Sequence, residues 1–296
     1  MNQRSPLPDP FSRMPFSTQQ AAARGVPRSR LRSQDLTRPF HGVRASGASA
    51  TMSIVERAEA YAPLLRADQF FSHTTAAALH GMRMPTSFDE EAIHVSSIAP
   101  TRAPRGKGVI GHQAADAPVV WSNGRIRASS PADTWIALGS SLPLDDLIVM
   151  GDGLISRKEP QATVEELSQM VASSAGSRGS ARLRSALAWI RADTDSAPET
   201  RLRLVLTRAG CPEPEVNGII QTARGPFHGD LVFRAHGVVV EYDGEQHRTV
   251  DLQYSIDVDR LDAMMAARWR VVRVDKRLMR TPGVVVGRVR RALADQ

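Results

Sequence analysis

The stretch VVVEYDGEQHR, residues 238–248, decides how the C-terminal part of this chain folds. Its three valines predict a buried β-strand, yet the strand ends on Glu241 and Asp243, with Gln246 and His247 just beyond. Charged groups next to a core need compensation, because removing a carboxylate from water is costly. The compensation could come from a basic neighbour, a metal ion or water alone.

The preceding residues predict a second strand that brings another acid to the same place. His236-Gly237 has the composition of a two-residue hairpin loop, in which positive φ is needed. This loop pairs Ala235 with Val238, Val232 with Glu241 and Asp230 with Asp243. Because side chains alternate between the two faces of a strand, Asp230, Glu241 and Asp243 share one face. The opposite face is apolar and suits a core: Leu231, Phe233, Val238, Val240 and Tyr242.

Three carboxylates on one face predict a metal site. Side chains paired in this way lie roughly 5–8 Å apart and repel one another unless a cation lies between them. Oxygen ligands are preferred by Mg²⁺ and Mn²⁺, and such an ion activates water and stabilises charge on a phosphodiester. His247 would then serve as general acid or base, or bind phosphate. The alternative is a solvated acidic strand end balanced by Arg248 and Arg260.

Glu199 has two interpretations that the sequence leaves open. It lies on the helix face of Leu202 and Leu206, which is unusual for an acid and favours a site residue. The residues Ser196 to Glu199 also match a capping box, which alone would explain the glutamate.

The pattern from residue 191 onward predicts the order helix, three strands, helix, strand, helix. The expected elements are Thr200–Ala209, Val216–Gln221, Asp230–Arg234, Val238–Asp243, Asp257–Ala267, Val271–Val274 and Val284–Leu293.

Charge indicates a nucleic-acid partner. The 296 residues carry a net charge of +7, and arginine supplies all but three of the basic residues. Residues 1–50 contain eight arginines and two aspartates, a local net charge of +6. A second basic cluster lies between Lys276 and Arg291. Two basic ends favour two DNA contact surfaces, although a codon bias toward arginine would give the same count.

The N-terminal region predicts a winged helix-turn-helix over residues 16–50, after a disordered tail over 1–15. Ser17 and Gln20 match a capping box, Gly25 ends the first helix, and Ser29 begins a second helix through Leu36. Phe40 to Arg44 would form the wing. Arg28, Arg30 and Arg32 then lie where a recognition helix meets DNA, with Arg44 beside them; the alternative is a helical hairpin with a solvated basic face.

The middle region, 51–190, predicts a mixed α+β domain without a recognisable chemical site. A helix follows Ser72 and ends at Gly81, strands cover AIHVSSI and GVIGH, and further helices begin at Pro131, Thr163 and Ala181. His73 and His80 lie seven residues apart, roughly 10 Å along a helix. One metal ion cannot easily bridge them, so a structural role is expected for both.

The C-terminal motifs resemble those of the PD-(D/E)XK nuclease superfamily, and specifically its very-short-patch-repair-like branch. The matching pieces are SAPETRLR, HGDLVF, VVVEYDGEQHR, YSIDVDRLDAM and RWRVVRVDKRLM, which span about 196–293. The resemblance implies a restriction-endonuclease-like αβββαβ core with a mixed sheet over 191–296, Asp230 and Glu241 as metal ligands, Glu199 as the first-helix acid and His247 as the histidine after the third strand. The superfamily's usual lysine is replaced by Asp243, so its role would pass to Gln246, His247 or an arginine.

The remainder is similar to AbiEi-type antitoxins, through GVPRSRLRSQDLTRPFHGVR, FSHTTAAALHG and SSPADTWIALGS. This resemblance implies DNA binding and a nucleotidyltransferase toxin as a second partner, with homodimerisation as a further expectation. The sequence as a whole therefore predicts a multi-domain protein of α+β and α/β type. It would be a Mg²⁺- or Mn²⁺-dependent DNA endonuclease or, alternatively, a regulator whose nuclease fold is inactive.

The location is expected to be cytoplasmic. The single cysteine, Cys211, excludes an internal disulfide framework and suits a reducing compartment. No apolar run approaches the ~20 residues of a membrane span, and no secretory signal is recognised at the N-terminus.

Overall fold

The computed structural model describes residues 6–47, 52–85, 92–114, 120–244 and 260–294. The chain forms two compact units. Unit 1 is Met1–Leu142 with Glu166–Leu183, and unit 2 is Pro143–Glu165 with Arg184–Gln296. Each unit combines helices with a mixed or antiparallel sheet, as expected for a multi-domain α+β protein. The finer division into domains at residues 50 and 190 stays a prediction.

Unit 1 begins with a small antiparallel sheet and a short helix. The elements are β1 (Phe16–Ser17), α1 (Thr18–Ala23), a 3₁₀ turn (Arg30–Arg32), β2 (Leu36–Thr37) and β3 (Val43–Ser46), with strand order β1-β3-β2. The capping box predicted at the start of α1 is confirmed: Ser17 and Gln20 exchange two 3.0 Å hydrogen bonds. Gly25 follows the helix with φ of +74°, a conformation that glycine adopts at little cost.

The predicted second helix from Ser29 through Leu36 is wrong. Only the 3₁₀ turn Arg30–Arg32 forms, and Leu36 instead enters β2 and pairs with Ser46. Leu36 is buried in a core with Phe16, Ala21 and Leu31. Isolated short helices are marginal in water, so this burial and strand pairing decide the local conformation.

Ordered packing also starts before residue 16. Phe11, which falls in the segment predicted as a disordered tail (1–15), is buried and stacks on Phe16 with ring centroids 4.5 Å apart. Residues 1–5 of that tail lie outside the described residues.

The larger part of unit 1 is a five-stranded mixed sheet in the order β6-β5-β4-β8-β7. Its strands and the neighbouring helices are α2 (Ile54–Tyr61), β4 (Gln69–Phe71), α3 (His73–Leu79), β5 (Ile93–Ile98), β6 (Val109–Ala114), β7 (Val120–Ser122), β8 (Arg127–Ser129) and α4 (Pro131–Leu138). The predicted helix after Ser72, the two strands and the helix that begins at Pro131 are confirmed. Ser130 caps α4, and Pro131 occupies its first turn. A proline is tolerated at this position because the N–H that it lacks would have no partner within the helix.

Unit 2 contains α5 (Leu144–Leu154), α8 (Ala197–Arg208), β9 (Glu215–Thr222), β10 (Gly225–Phe233), β11 (Val238–Asp243), α9 (described over 260–266), β12 (Arg270–Asp275) and α10 (Pro282–Ala294). The chain passes between the units after Leu142, within α6 (Val164–Ser173) and within α7 (Ser180–Trp189). The sheet order is β12-β11-β10-β9, with only β11 and β12 parallel. Each element predicted after residue 191 overlaps one of these, and β11 has the predicted bounds.

Both faces of this sheet are covered. The predicted apolar face packs against α8 and α10, where Leu202 and Val285 are fully buried beside Val240. On the other face, Val239 packs against Met264 of α9. Each such side chain contributes about 1.5–3 kcal/mol relative to its exposure to water, so the acid-bearing face is also partly a core.

The hairpin between β10 and β11 differs in register from the prediction. Arg234–His236 forms a 3₁₀ turn closed by Gly237, with φ of +60°, and Phe233 pairs with Val238. This turn is longer than the two-residue loop that was predicted. It is closed by a 3.2 Å hydrogen bond from the N–H of Gly237 to the carbonyl of Arg234. The register is therefore displaced by two residues, which leaves every side chain on its predicted face because the strand period is two.

Candidate active site

Three carboxylates from three elements of unit 2 interact with one another. Asp230 lies on β10, Glu241 on β11 and Glu199 in the first turn of α8; we call them the acid group. Burial, then the charges of Glu241 and Glu199, raise the pKa of Asp230 well above its usual value. Burial also raises the pKa of Glu241, with Glu199 contributing in the same direction. Continued by one residue beyond the pair of Leu231 and Val240, the displaced register aligns Asp230 with Glu241, and not with Asp243 as predicted.

Glu241 is the most deeply buried member of the acid group, with 4% of its surface exposed. Its Oε2 accepts a 2.7 Å hydrogen bond from Nη2 of Arg260 on α9, and Nη1 of Arg260 donates to the carbonyl of His228 at 2.8 Å. Its Oε1 is buried and has no hydrogen-bond partner among the described residues. A buried polar atom without a partner costs roughly 1–3 kcal/mol, and more when it is charged.

Asp230 is held by the backbone of the neighbouring strand. Its Oδ2 accepts a 2.7 Å hydrogen bond from the N–H of Tyr242. This bond holds the carboxylate of Asp230 beside β11, where it interacts electrostatically with Glu241. A backbone donor stabilises the ionised form of an acid, but in Asp230 burial and the two neighbouring acids outweigh it.

Glu199 takes part in the helix cap and also interacts with the other two acids. Its Oε1 accepts from Oγ of Ser196 at 2.7 Å and its Oε2 accepts from the N–H of Asp195 at 2.9 Å, so the side chain helps to cap α8. Its charge also acts on both other carboxylates of the acid group. The capping bonds fix the position of Glu199 relative to β10 and β11.

Asp243, the third predicted metal ligand, is engaged elsewhere. Its Oδ2 accepts a 2.6 Å hydrogen bond from Nη2 of Arg273 on β12. It contributes to the pKa shifts of neither Asp230 nor Glu241. Gln246, His247 and Arg248 lie outside the described residues. Arg260, one of the two arginines that the solvated-acid alternative required, contacts Glu241.

Sequence reasoning missed two residues beside the acid group. Asn217 on β9 donates from Nδ2 to Oε2 of Glu199 at 3.4 Å, and its own carbonyl oxygen lies 2.8 Å from Nδ1 of His228. His228 precedes Asp230 by two residues on β10, so period-two alternation would have placed it on the acid face. The role of Asn217 has no such local signal, because its strand is not adjacent to β11.

The acid group offers oxygen ligands of the type that a hard divalent cation binds, but among the described residues its three carboxylates do not each bring an oxygen within 4.8 Å of the others. Burial, with the charges of neighbouring acids as a smaller cause, raises the pKa of Asp230 and Glu241, and Oε1 of Glu241 is buried without a hydrogen bond among the described residues. Mg²⁺ and Mn²⁺ prefer oxygen ligands of this kind. Asp230 and Glu241 are the members through which the chain could hold such an ion.

The four arginines predicted to bind DNA fall into two pairs. Arg28 and Arg32 are exposed beside the 3₁₀ turn. Arg30 forms a bidentate ion pair with Asp35, at 2.8 and 2.9 Å. Arg44 donates to the carbonyls of Leu31 and Val43, both at 2.7 Å, and burial, followed by the nearby Arg38, lowers its pKa. Arg28 and Arg32 are therefore the pair presented to a ligand.

Comparison with known proteins gives little further information. No family model and no curated protein matches this chain. One similar solved structure is the RV2827C protein from Mycobacterium tuberculosis, at 16% identity and a TM-score of 0.35, covering 60% of this chain and 77% of that chain. A likeness of this size carries no information on activity. Within the described residues, no helix combines the length and apolar character needed to cross a lipid bilayer.

Proposed function

We propose that this protein binds DNA and that unit 2 carries a PD-(D/E)XK endonuclease-like domain that hydrolyses phosphodiester bonds with Mg²⁺ or Mn²⁺. The observation that carries the proposal is the acid group, in which Asp230 and Glu241 share a buried strand face and interact electrostatically with Glu199. The element order of unit 2 agrees with the αβββαβ core that the sequence resemblance implies.

Electrostatics support a cation at the acid group. Like charges held together destabilise the ionised state of each, so a purely structural role would leave the fold with an uncompensated cost. Arg260 neutralises one oxygen of Glu241. Asp230 and Oε1 of Glu241 remain for a divalent ion.

The chain's own residues would then have separate tasks. Asp230 and Glu241 would hold the ion, and Glu199 would add negative charge beside it. Gln246 and His247 remain the residues predicted to transfer protons and bind phosphate. A bound Mg²⁺ or Mn²⁺ supplies a Lewis acid that activates water and stabilises phosphodiester charge. Asp243 is the weakest member of the predicted set, because Arg273 already compensates its charge.

The proposed DNA contact is electrostatic and lies in unit 1. The first fifty residues have a local net charge of +6, and Arg28 and Arg32 are exposed next to the β2–β3 hairpin. A 3₁₀ turn stands where the recognition helix of a winged helix-turn-helix was expected, so the proposed contact depends on charge and exposure and not on that motif. Phosphate contacts of arginine make such binding strongly dependent on salt.

A plasmid-cleavage assay tests the nuclease proposal. The full chain is incubated with supercoiled, single-stranded and mismatched DNA in Mg²⁺, Mn²⁺ or EDTA, beside Asp230→Asn and the matched control Asp145→Asn. Asp145 is an exposed aspartate of α5 that pairs with Arg208. Metal-dependent cutting by the wild type and by Asp145→Asn, but not by Asp230→Asn, is expected. Equal cutting by both variants, or none by the wild type, contradicts the proposal.

A second candidate function is a non-enzymatic regulator of the antitoxin type. The specific observation in its favour is that Arg260 and Arg273 already pair with Glu241 and Asp243, in a domain without the superfamily's lysine. Such a protein would bind DNA, alone or as a homodimer, and a nucleotidyltransferase toxin. DNA binding in a salt-dependent gel-shift assay, lost in Arg28→Gln/Arg32→Gln, together with no cleavage under any metal condition, would favour it.

A further inference from the structure

Unit 1 brings together three histidines that the sequence scatters over forty residues. His73 is the first residue of α3, His94 lies on β5 and His112 on β6; we call them the histidine group. Strands β5 and β6 are parallel, and Ser96 pairs with His112. His94 precedes Ser96 by two residues, so both strand histidines project from the same face of the sheet.

The three imidazole rings are in mutual contact. Nδ1 of His94 lies 2.8 Å from Nε2 of His112. The ring of His73 stacks on that of His112 with centroids 3.8 Å apart, and lies 5.4 Å from that of His94. One ring nitrogen from each histidine can be chosen so that all three lie within 4.8 Å of one another.

The surroundings of His73 hold its ring in place and favour its neutral form, which is the form that ligates metal ions. Burial, followed by the nearby His112 and His94, lowers the pKa of His73 to about 3. Nδ1 of His73 lies 3.0 Å from Oγ of Ser72, which in turn accepts from Oγ of Ser96 at 2.7 Å. A partner on one ring nitrogen fixes the ring and leaves the other nitrogen as the ligand.

His73 also has a strained backbone. Its φ is +51°, a value that a non-glycine residue adopts at a cost of roughly 1–3 kcal/mol and mostly where the surrounding structure enforces it. In this conformation the ring of His73 stacks on that of His112 on β6.

We propose that His73, His94 and His112 form a binding site for Zn²⁺ or a similar borderline transition-metal ion. Three imidazoles suit Zn²⁺, Co²⁺ and Ni²⁺ and discriminate against Mg²⁺, which prefers oxygen. The site would connect α3 to two strands of the five-stranded sheet. Three protein ligands leave a fourth tetrahedral position for water or an anion.

Metal binding requires a small rearrangement of the rings. Ligand nitrogens about 2.05 Å from a tetrahedral ion lie about 3.3 Å apart, so the 2.8 Å contact must open and the longer separations must shrink. The rings are nearly parallel, inclined by 15° to 33°, and must rotate until their lone pairs converge. Rotation about χ2 of histidine is soft, so the torsional cost of turning the rings is small.

The proposal departs from the expectation that the middle region has no chemical site. Nε2 of His80 lies 2.7 Å from the carbonyl oxygen of Ser129, and His80 is not part of the histidine group. The relevant partners of His73 come from β5 and β6. The proposal is independent of the proposed nuclease function, since its readout is metal binding and not DNA cleavage.

Metal titration of the full chain tests the site. Protein stripped with a chelator is titrated with Zn²⁺ by calorimetry and with Co²⁺ by visible absorption, in excess Mg²⁺ so that oxygen-ligand sites are occupied. The variants are His112→Gln, His73→Gln and the matched control His41→Gln, which changes an exposed histidine of the same unit. A Glu241→Gln variant separates any contribution of the acid group.

The wild type, His41→Gln and Glu241→Gln are each expected to bind one Zn²⁺ and to give the intense visible bands of tetrahedral Co²⁺. His112→Gln and His73→Gln should weaken Zn²⁺ binding at least about 100-fold, with circular dichroism spectra that match the wild type. Wild-type protein that binds neither metal overturns the proposal without recourse to any variant. Binding lost in Glu241→Gln but retained in His112→Gln overturns it as well.

Discussion

The acid group of unit 2 and the histidine group of unit 1 respond to burial in opposite directions. Burial raises the pKa of Asp230 and Glu241, whereas it lowers the pKa of His73. In both cases the low-polarity surroundings favour the neutral form. The consequence for metal binding differs: the acids must give up protons before a cation binds, while the imidazole already exposes a lone pair.

The two groups also differ in how the fold compensates them. Glu241 has an arginine partner within its own unit, so an ion at the acid group competes with, or adds to, an existing cation. In the histidine group, Nδ1 of His94 and Nε2 of His112 lie within hydrogen-bonding distance of each other, a contact that a metal ion would replace. We therefore expect a hard ion at the first group and a borderline ion at the second.

The largest expected effect separates the acid group from ordinary surface acids. Glu241→Gln should reduce metal-dependent DNA cleavage by about 10³-fold, because metal assistance supplies several kcal/mol and each 1.36 kcal/mol is tenfold in rate. Initial rates of plasmid nicking measure this loss. The matched control is Glu215→Gln, an exposed glutamate that pairs with Arg234, and a comparable loss in that variant would break the distinction.

A buried ion pair in unit 2 allows the cost of leaving a buried carboxylate without its cation to be measured. Arg203 and Asp152 are fully buried and joined at 2.9 Å, and Thr200 also donates to Asp152 at 2.8 Å. Arg203→Met leaves a buried carboxylate without its cation, so we expect a loss of about 3–5 kcal/mol in the free energy of unfolding. Urea denaturation measures it, with the exposed pair variant Arg208→Met as control.

The control should lose less than about 1 kcal/mol, as is typical of exposed ion pairs. Equal losses in the two variants would mean that burial does not govern the strength of ion pairs in this unit. The argument that Glu241 needs a cation would then lose its basis.

Metal-dependent stability should sharpen the difference between the two groups. At a concentration about 100 times the dissociation constant, a ligand adds roughly 2.7 kcal/mol to the native state. Glu241→Gln should abolish the thermal shift caused by Mg²⁺ and keep the one caused by Zn²⁺, and His112→Gln should do the reverse. Differential scanning fluorimetry with each metal checks both halves, and a variant that loses both shifts contradicts the separation.

The smallest expected effect concerns the positioning of Glu199. Ser196→Ala removes the N-cap of α8 and the 2.7 Å hydrogen bond to Oε1 of Glu199, which should cost about 1 kcal/mol in stability. Ser53→Ala, at the capping box of α2, is a matched control with a similar stability cost. Only Ser196→Ala should also weaken Mg²⁺ binding, and an equal effect of both variants on Mg²⁺ would assign Ser196 a capping role alone.

Much of unit 2 could be predicted because its signals are local. The valines of β11 and the caps of α8 specify elements from neighbouring residues. The acid face also follows locally, since Asp230 and Glu241 lie on consecutive strands of one hairpin, and an error of two residues in register does not change the face. The loop itself was mispredicted, because the 3₁₀ turn over Arg234–His236 depends on a backbone bond that composition does not specify.

The failures share a different physical origin. The helix expected from Ser29 to Leu36 has adequate local signals, but burial of Leu36 and its pairing with Ser46 oppose it. The histidine group escaped notice because its members lie 21 and 18 residues apart on a helix and two strands. No periodic pattern spans such distances, so only the packing of α3 on the sheet brings them together.

The sequence by itself determined the order of helices and strands after residue 191, the N-terminal caps of α1 and α8 and the face on which the acids lie, because these depend on residues a few positions apart. Tertiary structure alone decided that Arg260 pairs with Glu241, that Arg273 engages Asp243 and that three histidines meet in unit 1. These contacts join elements that are distant along the chain. Their geometry depends on how the hydrophobic faces of those elements pack, and the local pattern of side chains does not specify that packing.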